Sequence, residues 1–161
     1  MPGRRQFKRR GLLPPADELL ECGSDLGRLT PANRTLRSVT KAWELLRENV
    51  ALYPPNQREY RQQHGQLFVA MAIARAGLID SAKAVALGSR ADTTIDPVME
   101  LVYLEMLPRN LMGDREEVLN LLRAYLQANP QERASIAKDD TWWLRGLRDD
   151  PRFRAIVGVA H

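Results

Sequence analysis

Few residues in this sequence are of the types that carry catalytic or metal-binding chemistry. The two histidines are His64, near the head of a predicted helix, and His161. Neither has a serine, cysteine or carboxylate at a spacing typical of a nucleophile and its base, so we interpret both as surface residues. The acidic pairs Asp139-Asp140 and Asp149-Asp150 could hold a metal or act as acid and base. Because each pair precedes a helical start, we interpret both as helix caps.

Composition limits the remaining chemistry. Cys22 is the one cysteine, so neither an intrachain disulfide nor a cysteine metal cluster can form. Gly77 and Gly113 stand alone, so the sequence predicts no glycine-rich phosphate-binding loop. We therefore predict a non-enzymatic protein with no cofactor and no metal.

Positive charge is concentrated at the start of the sequence. The chain of 161 residues has a net charge of +4, and residues 1–10 contain five cations and no acid, which leaves −1 for the remainder. These cations are Arg4, Arg5, Lys8, Arg9 and Arg10. They could attract the phosphates of DNA or RNA, but Phe7 is the only aromatic among them and no recognition fold follows. We interpret residues 1–30 as a basic, mostly flexible arm, with nucleic-acid binding as a minor alternative.

The compartment is predicted from apolar runs and cysteine usage. The segment after the basic start is interrupted by Pro14, Pro15 and three acids, so it lacks the apolar core of a secretory signal. No run approaches the roughly 20 apolar residues of a membrane-spanning helix. We expect a cytoplasmic protein that does not bind membranes.

The segment Gln66 to Arg90 has helical periodicity, and the rest of the predicted fold is built around it. Apolar residues there recur with the spacing of an α-helix; they are Leu67, Ala70, Met71, Ala74 and Leu78. Gly77 is predicted to end this helix in a left-handed conformation, and Asp80 and Ser81 to cap the next one. The second helix should bury Ala82, Val85 and Ala86. The pattern predicts two helices folded back on each other.

Further helices are predicted on either side. Proline at a first helical position indicates a helix from about Pro31 to Leu52, and the following helix should begin near Arg58. Asp96-Pro97 is a similar start, for a helix that Pro108 should kink or end early.

The next predicted helix is the most amphipathic one. Asp114 and Glu117 have the spacing of a capping box, and Asn129-Pro130 ends the helix. No segment alternates with a period of two for long enough to predict a strand. The predicted fold is therefore all-α.

The helices repeat. Gly77 and Gly113 lie 36 residues apart, each five residues before the buried position of a second helix. Self-similarity at this spacing is typical of helical arrays in which each pair packs only against its neighbours. The pattern resembles the tetratricopeptide repeat, which has small residues at Ala70 and Ala82, glycine between its helices, and proline at the position of Pro130. Gln66, Thr94, Met106 and Val118 depart from that consensus.

The C-terminal half resembles a narrower group. Its Asp-x-x-Trp segment, Asp139 to Trp142, and its Leu-Arg-x-x-Pro-Arg-Phe segment, Leu147 to Phe153, are similar to the closing repeats of bacterial kinases, adenylate cyclases and transcription regulators. The resemblance covers roughly residues 35–157 and includes no catalytic or DNA-binding domain. Trp142 and Trp143 could be a ligand-stacking platform, but we expect at least one of them, helped by Phe153, to seal the last repeat.

The resemblance implies a right-handed array of about two and a half helical pairs over residues 31–130, with a capping segment over 131–161. In that family the first helix of each pair lines a concave groove that binds partner segments. Register places these residues toward it: His64, Leu67, Met71, Arg75, Tyr103, Leu107 and Asn110. We therefore expect an interaction scaffold that binds another protein, and as the alternative a regulatory or dimerising tail of a signalling system.

Overall fold

The chain is helical throughout the part that the structure describes. The computed structural model describes residues 31–158, with only the helical backbone given for residues 31–35. Its helices are α1 (Pro31–Ala51), α2 (Pro55–Arg75), α3 (Ile79–Gly88), α4 (Glu100–Leu111), α5 (Arg115–Ala128), α6 (Arg133–Lys138), α7 (Trp142–Arg145) and α8 (Pro151–Val157), with a 3-10 turn at Pro130–Glu132. This range contains no β-strand, so the all-α prediction is confirmed.

Successive helices pack side by side. The closest packed pairs are α1 with α2, α2 with α3, and α4 with α5, while α2 also lies against α4. At the C-terminal end α8 packs on α5 and α6. Neighbours in sequence are therefore mostly neighbours in space, and α4 is the element that joins the two halves.

Proline and glycine set several helix ends, as predicted. Pro31 and Pro55 occupy the first positions of α1 and α2, where their fixed φ suits a helix and no backbone N–H is needed. The start at Pro55 is three residues earlier than the predicted start near Arg58. Gly77 and Gly113 follow α2 and α4 with φ of 78° and 72°, the left-handed conformation that favours glycine.

The predicted caps have mixed outcomes. Asp150 caps α8, since its carboxylate accepts from the backbone N–H of Arg152 at 2.9 Å. In contrast, α7 follows Thr141 without a side-chain cap, so the pair Asp139-Asp140 does not cap it.

Helix α3 begins at Ile79, after Leu78, so Asp80 and Ser81 lie inside its first turn and not at the capping position. Asp114 precedes α5, but its carboxylate does not cap the helix. It forms ion pairs with Arg109 at 3.1 Å and Lys83 at 3.8 Å. Bonds from charged donors are stronger than those from neutral amides, which explains why the capping box is not formed.

The start and interior of α4 also differ from the prediction. Asp96 does act as a cap, but its two carboxylate oxygens accept from the backbone N–H groups of Glu100 and Leu101, each at 2.8 Å. The helix therefore begins at Glu100 and not at Pro97, after a turn in which Met99 has a φ of 57°. Pro108 does not end α4, which continues to Leu111.

Charges around the buried Glu105 tie α4 to the segment after α3 and to α5. The Glu105 side chain is 1% exposed, and it accepts from Arg90 at 2.7 and 2.9 Å and from Arg109 at 2.9 Å. Arg90 also bonds Glu117, and Arg109 bonds Asp114. We call Arg90, Glu105, Arg109, Asp114 and Glu117 the Glu105 cluster. Asp114 and Glu117 were expected to form a capping box. In the cluster they bond Arg109 and Arg90 instead.

The apolar core confirms the predicted burial of α2. Leu67, Val69, Ala70, Ile73 and Ala74 are buried within the stretch Leu67–Ala74. Ala82 and Ala86 of α3 are fully buried against them, and Val85 is half-buried. The remaining large cluster joins α4, α5 and the C-terminal helices, with Trp143 and Phe153 buried in it. One tryptophan of the pair therefore packs inside, as predicted.

Gly65 allows α2 to lie close to α1. A Cβ built on Gly65 would lie 2.1 Å from Cδ1 of Leu46, which is itself buried. We expect Gly65→Ala to cost about 1–3 kcal/mol through overpacking, offset by about 1 kcal/mol from the higher helix propensity of alanine. Urea unfolding of the single variants and of Gly65→Ala/Leu46→Ala measures the coupling.

Leu46→Ala alone should cost about 2–5 kcal/mol because it leaves a cavity. The double variant should cost less than the sum of the two single variants, since the shortened side chain makes room for the new methyl group. Strictly additive losses would show that Gly65 does not set the distance between these helices.

Candidate functional site

One side of α2 remains accessible in the part of the helix that packs into the core, Leu67–Ala74, and in the turns next to it. Its residues recur every three or four positions, so they share a face. They are Arg61, His64, Phe68, Met71 and Arg75, which we call the α2 surface. Phe68 is 50% exposed and Arg75 is exposed, while the other three are half-buried.

The structure corrects one predicted groove residue. Leu67 is 1% exposed and packs in a cluster with Ala70, Ala86 and Leu101, so it is not available to a partner. Phe68, which register did not assign to the groove, takes the accessible position. His64, Met71 and Arg75 lie on the same side of α2 as Phe68.

Aromatic rings surround His64. Its ring centroid lies 5.2 Å from that of Phe68 and 6.0 Å from that of Tyr60. The Tyr60 hydroxyl donates to Glu100 at the start of α4, which ties the beginnings of α2 and α4 together. Burial and this carboxylate raise the pKa of Tyr60 well above its usual range. His64 and Phe68 thus form part of an aromatic surface on this side of α2.

His64 should make stability depend on pH. Burial lowers its pKa below the ordinary 6.5, Glu100 opposes this shift, and Arg61 adds to it. Because the unfolded chain then binds the proton more readily, stability is complete above pH of about 6.5 and falls as the pH drops toward the folded-state pKa. Urea midpoints at pH 7.5 and 5.5 should differ less in His64→Gln than in the wild type. Equal differences would contradict the prediction.

The predicted groove residues of α4 face the C-terminal segment. The Tyr103 ring lies 4.9 Å from that of Tyr125 and 5.3 Å from that of Trp143, and its burial raises the tyrosine pKa to about 12. Asn110 donates to the backbone oxygen of Trp143 at 3.1 Å. Leu107 packs partly against the same cluster. These three residues therefore help to attach the C-terminal helices.

The two predicted halves of the groove are only partly brought together. Helices α2 and α4 are in contact. Among the described residues, however, no hydrogen bond, ion pair or ring contact joins the predicted residues of α2 to those of α4. The accessible part of the predicted site is thus concentrated on α2. The basic arm, Arg4, Arg5, Lys8, Arg9 and Arg10, lies outside the described residues.

A sequence signal for Phe68 existed. Eight successive apolar residues, Leu67–Ala74, cannot all face inward on a helix whose first turns are polar. The polar residues Arg61, His64 and Arg75 mark the outward side of the helix. Phe68 and Met71 lie on the same side because they follow the helical period. Counting helical positions back from Gly77 assigned Leu67 to the groove, one position before the accessible residue Phe68.

The part of the chain that the structure describes holds neither a candidate metal site nor a candidate membrane helix. Residues 31–158 contain no group of three or more His, Cys, Asp or Glu side chains placed to hold a metal ion. Within the same range, no helix combines the length and the apolar character needed to cross a bilayer. Comparisons with protein-family models, curated proteins and solved structures find no match.

Proposed function

We propose that this protein is a non-enzymatic interaction scaffold of the cytoplasm, which binds a segment of another protein along the α2 surface. The observation that carries the proposal is the 50% exposure of Phe68 in the part of α2 that buries Leu67, Val69, Ala70, Ile73 and Ala74. Exposing half of a phenylalanine is unfavourable, and aromatic anchors of this kind are enriched at protein interfaces.

The chemistry of the α2 surface indicates what such a segment contains. Phe68, the half-buried Met71 and the ring of His64 offer apolar contact, and Met side chains adapt to varied partners. Arg75 is exposed beside them and bonds no other described residue. A segment with one or two large apolar side chains and a carboxylate about one helical turn away suits this surface.

We further propose that the helices form a tetratricopeptide-like, right-handed array closed by the C-terminal segment. Support comes from the two closely packed pairs, α2 with α3 and α4 with α5, and from the left-handed glycine after α2 and after α4. The contact between α2 and α4, the first helices of the two pairs, also fits such an array.

The test begins with peptides selected against the wild-type protein from a random displayed library. Their affinities are then measured by fluorescence polarisation for the wild type and for Phe68→Ala/Arg75→Ala. We expect the double variant to weaken binding at least tenfold, because it removes an anchor and its neighbouring charge.

A matched double variant controls for exposure and charge. Leu87→Ala/Arg37→Ala removes an exposed apolar side chain of α3 and an exposed cation of α1, and it should bind the selected peptides as the wild type does. If both double variants retain wild-type affinity, the α2 surface is not the binding site.

The second candidate function is a dimerising tail, and one observation favours it. Leu45 of α1 and Leu52, directly after the helix, are exposed, Leu52 by 82%, and among the described elements the main contact of α1 is α2. A second copy could cover these leucines. Sedimentation velocity distinguishes the candidates, since a stable dimer that Leu45→Ser/Leu52→Ser dissociates supports this function, and a monomer excludes it.

A further inference from the structure

A cleft of about 340 Å³ opens beside α5 and α8, with no lining residue from α2. It is lined by Arg123, Gln127, Arg133, Arg152, Ala155 and Ile156. Three of the six are arginines and none is acidic. The cleft is at the small end of the volume range of ligand pockets, which run from about 300 to 1,000 Å³.

Two of the arginines lack a carboxylate partner. Within residues 31–158, Arg123 and Arg133 form no ion pair, in contrast to Arg90, Arg109, Arg115 and Arg152. One terminal nitrogen of Arg123 donates to Asn120 at 3.2 Å, and one of Arg133 donates to the backbone oxygen of Ile156. Each guanidinium has five N–H donors, so most of them remain free to bind a ligand.

The third arginine forms a fixed wall of the cleft. Arg152 is held by Asp150 through two bonds, at 3.2 and 3.0 Å, and by Glu116. These carboxylates balance the charge of Arg152. The residue therefore contributes to the shape of the cleft more than to the attraction of an anion. Ile156, which is buried, and Ala155 supply apolar surface beside the charges.

We propose that this cleft binds a small phosphate-bearing anion, between a diphosphate and a mononucleotide in size, through Arg123 and Arg133. Planar guanidinium groups bond pairs of phosphoryl oxygens, and such charge-assisted bonds are stronger than neutral ones. Two unpaired cations that share a cleft repel each other, and a polyanion between them removes that repulsion. The apolar wall gives the remainder of the ligand a surface to contact.

Isothermal titration with sodium pyrophosphate and with ATP, at one ionic strength set by sodium chloride, tests the proposal. We expect saturable binding of one anion per chain. Arg123→Gln should weaken it about tenfold, since it removes one charged donor group. Arg123 is the better variant to test, because Arg133 also bonds the backbone of α8 and its loss could disturb the fold.

Controls separate a site from general charge effects. Arg37→Gln removes an exposed cation of α1 and should bind pyrophosphate as the wild type does, and so should Phe68→Ala/Arg75→Ala. Tighter binding of ATP than of sodium tripolyphosphate, which has the same number of phosphates, would assign the apolar wall to the nucleoside, and equal binding would restrict the site to the phosphates. The proposal is overturned if no saturable binding occurs, or if Arg123→Gln and Arg37→Gln have the same effect.

Discussion

Replacing Glu105 with alanine is expected to lower the free energy of unfolding by about 3–5 kcal/mol. The carboxylate is the centre of the Glu105 cluster, and it bonds Arg109 within α4 and Arg90 in the segment that follows α3. Arg109 is 7% exposed, so the substitution leaves a positive charge buried with one carboxylate, Asp114, in place of two. Water cannot reach the guanidinium to compensate. Urea unfolding followed by circular dichroism measures the loss.

Further variants test this reason. Glu59→Ala removes an exposed carboxylate of α2 and should change stability by less than about 0.5 kcal/mol. Glu105→Gln keeps the shape and loses the charge, so its cost should fall between those of the two alanine variants. Glu105→Met/Arg109→Met should recover part of the loss, because it removes the unpaired buried charge. A Glu105→Ala variant as stable as Glu59→Ala would show that the cluster does not stabilise the fold.

Trp143→Ala is expected to cost about 3–5 kcal/mol, and Trp142→Ala less than about 1 kcal/mol. The two tryptophans are adjacent in sequence and have the same chemistry, but Trp143 is 6% exposed and Trp142 is 54% exposed. Trp143 packs with the cluster of α4, α5 and α8 and stacks edge-on against Tyr103. Its removal leaves a cavity in this cluster and weakens the attachment of the C-terminal helices.

Urea unfolding measures the loss of stability in both tryptophan variants. It is followed by circular dichroism, because each variant lacks one fluorophore. The Trp142→Ala variant is the matched control. Asn110→Ala adds a second measurement, since it removes the hydrogen bond to the Trp143 backbone and should cost about 1 kcal/mol. Equal losses for the two tryptophan variants would contradict the difference in burial as their cause.

Much of the helix pattern could be predicted from local sequence. Pro31 marks the start of α1, and the residues after α2 and α4 that end them, Gly77 and Gly113, were identified from residue type. Each of these residues acts through its own backbone: proline fixes φ near the helical value, and glycine adopts a positive φ without a steric cost. These backbone effects do not depend on which residues pack nearby, so the helix ends can be predicted from a single sequence.

The predicted capping box of α5 failed because its side chains have alternatives. Asp114 and Glu117 have the required spacing, but Arg109 of α4 and Arg90, which follows α3, lie within reach in the folded chain. An ion pair with a distant residue competes with the local cap, and the sequence pattern contains no information about that competitor. The assignment of Leu67 to the candidate site failed for a different reason, since it was counted from Gly77 and did not use the polar positions Arg61, His64 and Arg75, whose helical period includes Phe68.

From the sequence alone, this protein was determined to be helical and its main helix ends were located, because periodic apolar residues, proline and glycine act within a few residues of themselves. The tertiary structure decided which tryptophan is buried, where Asp114 and Glu117 form their bonds, and that Arg123 and Arg133 share a cleft. Each of these depends on groups far apart in the chain, and packing brings them together only in the folded molecule.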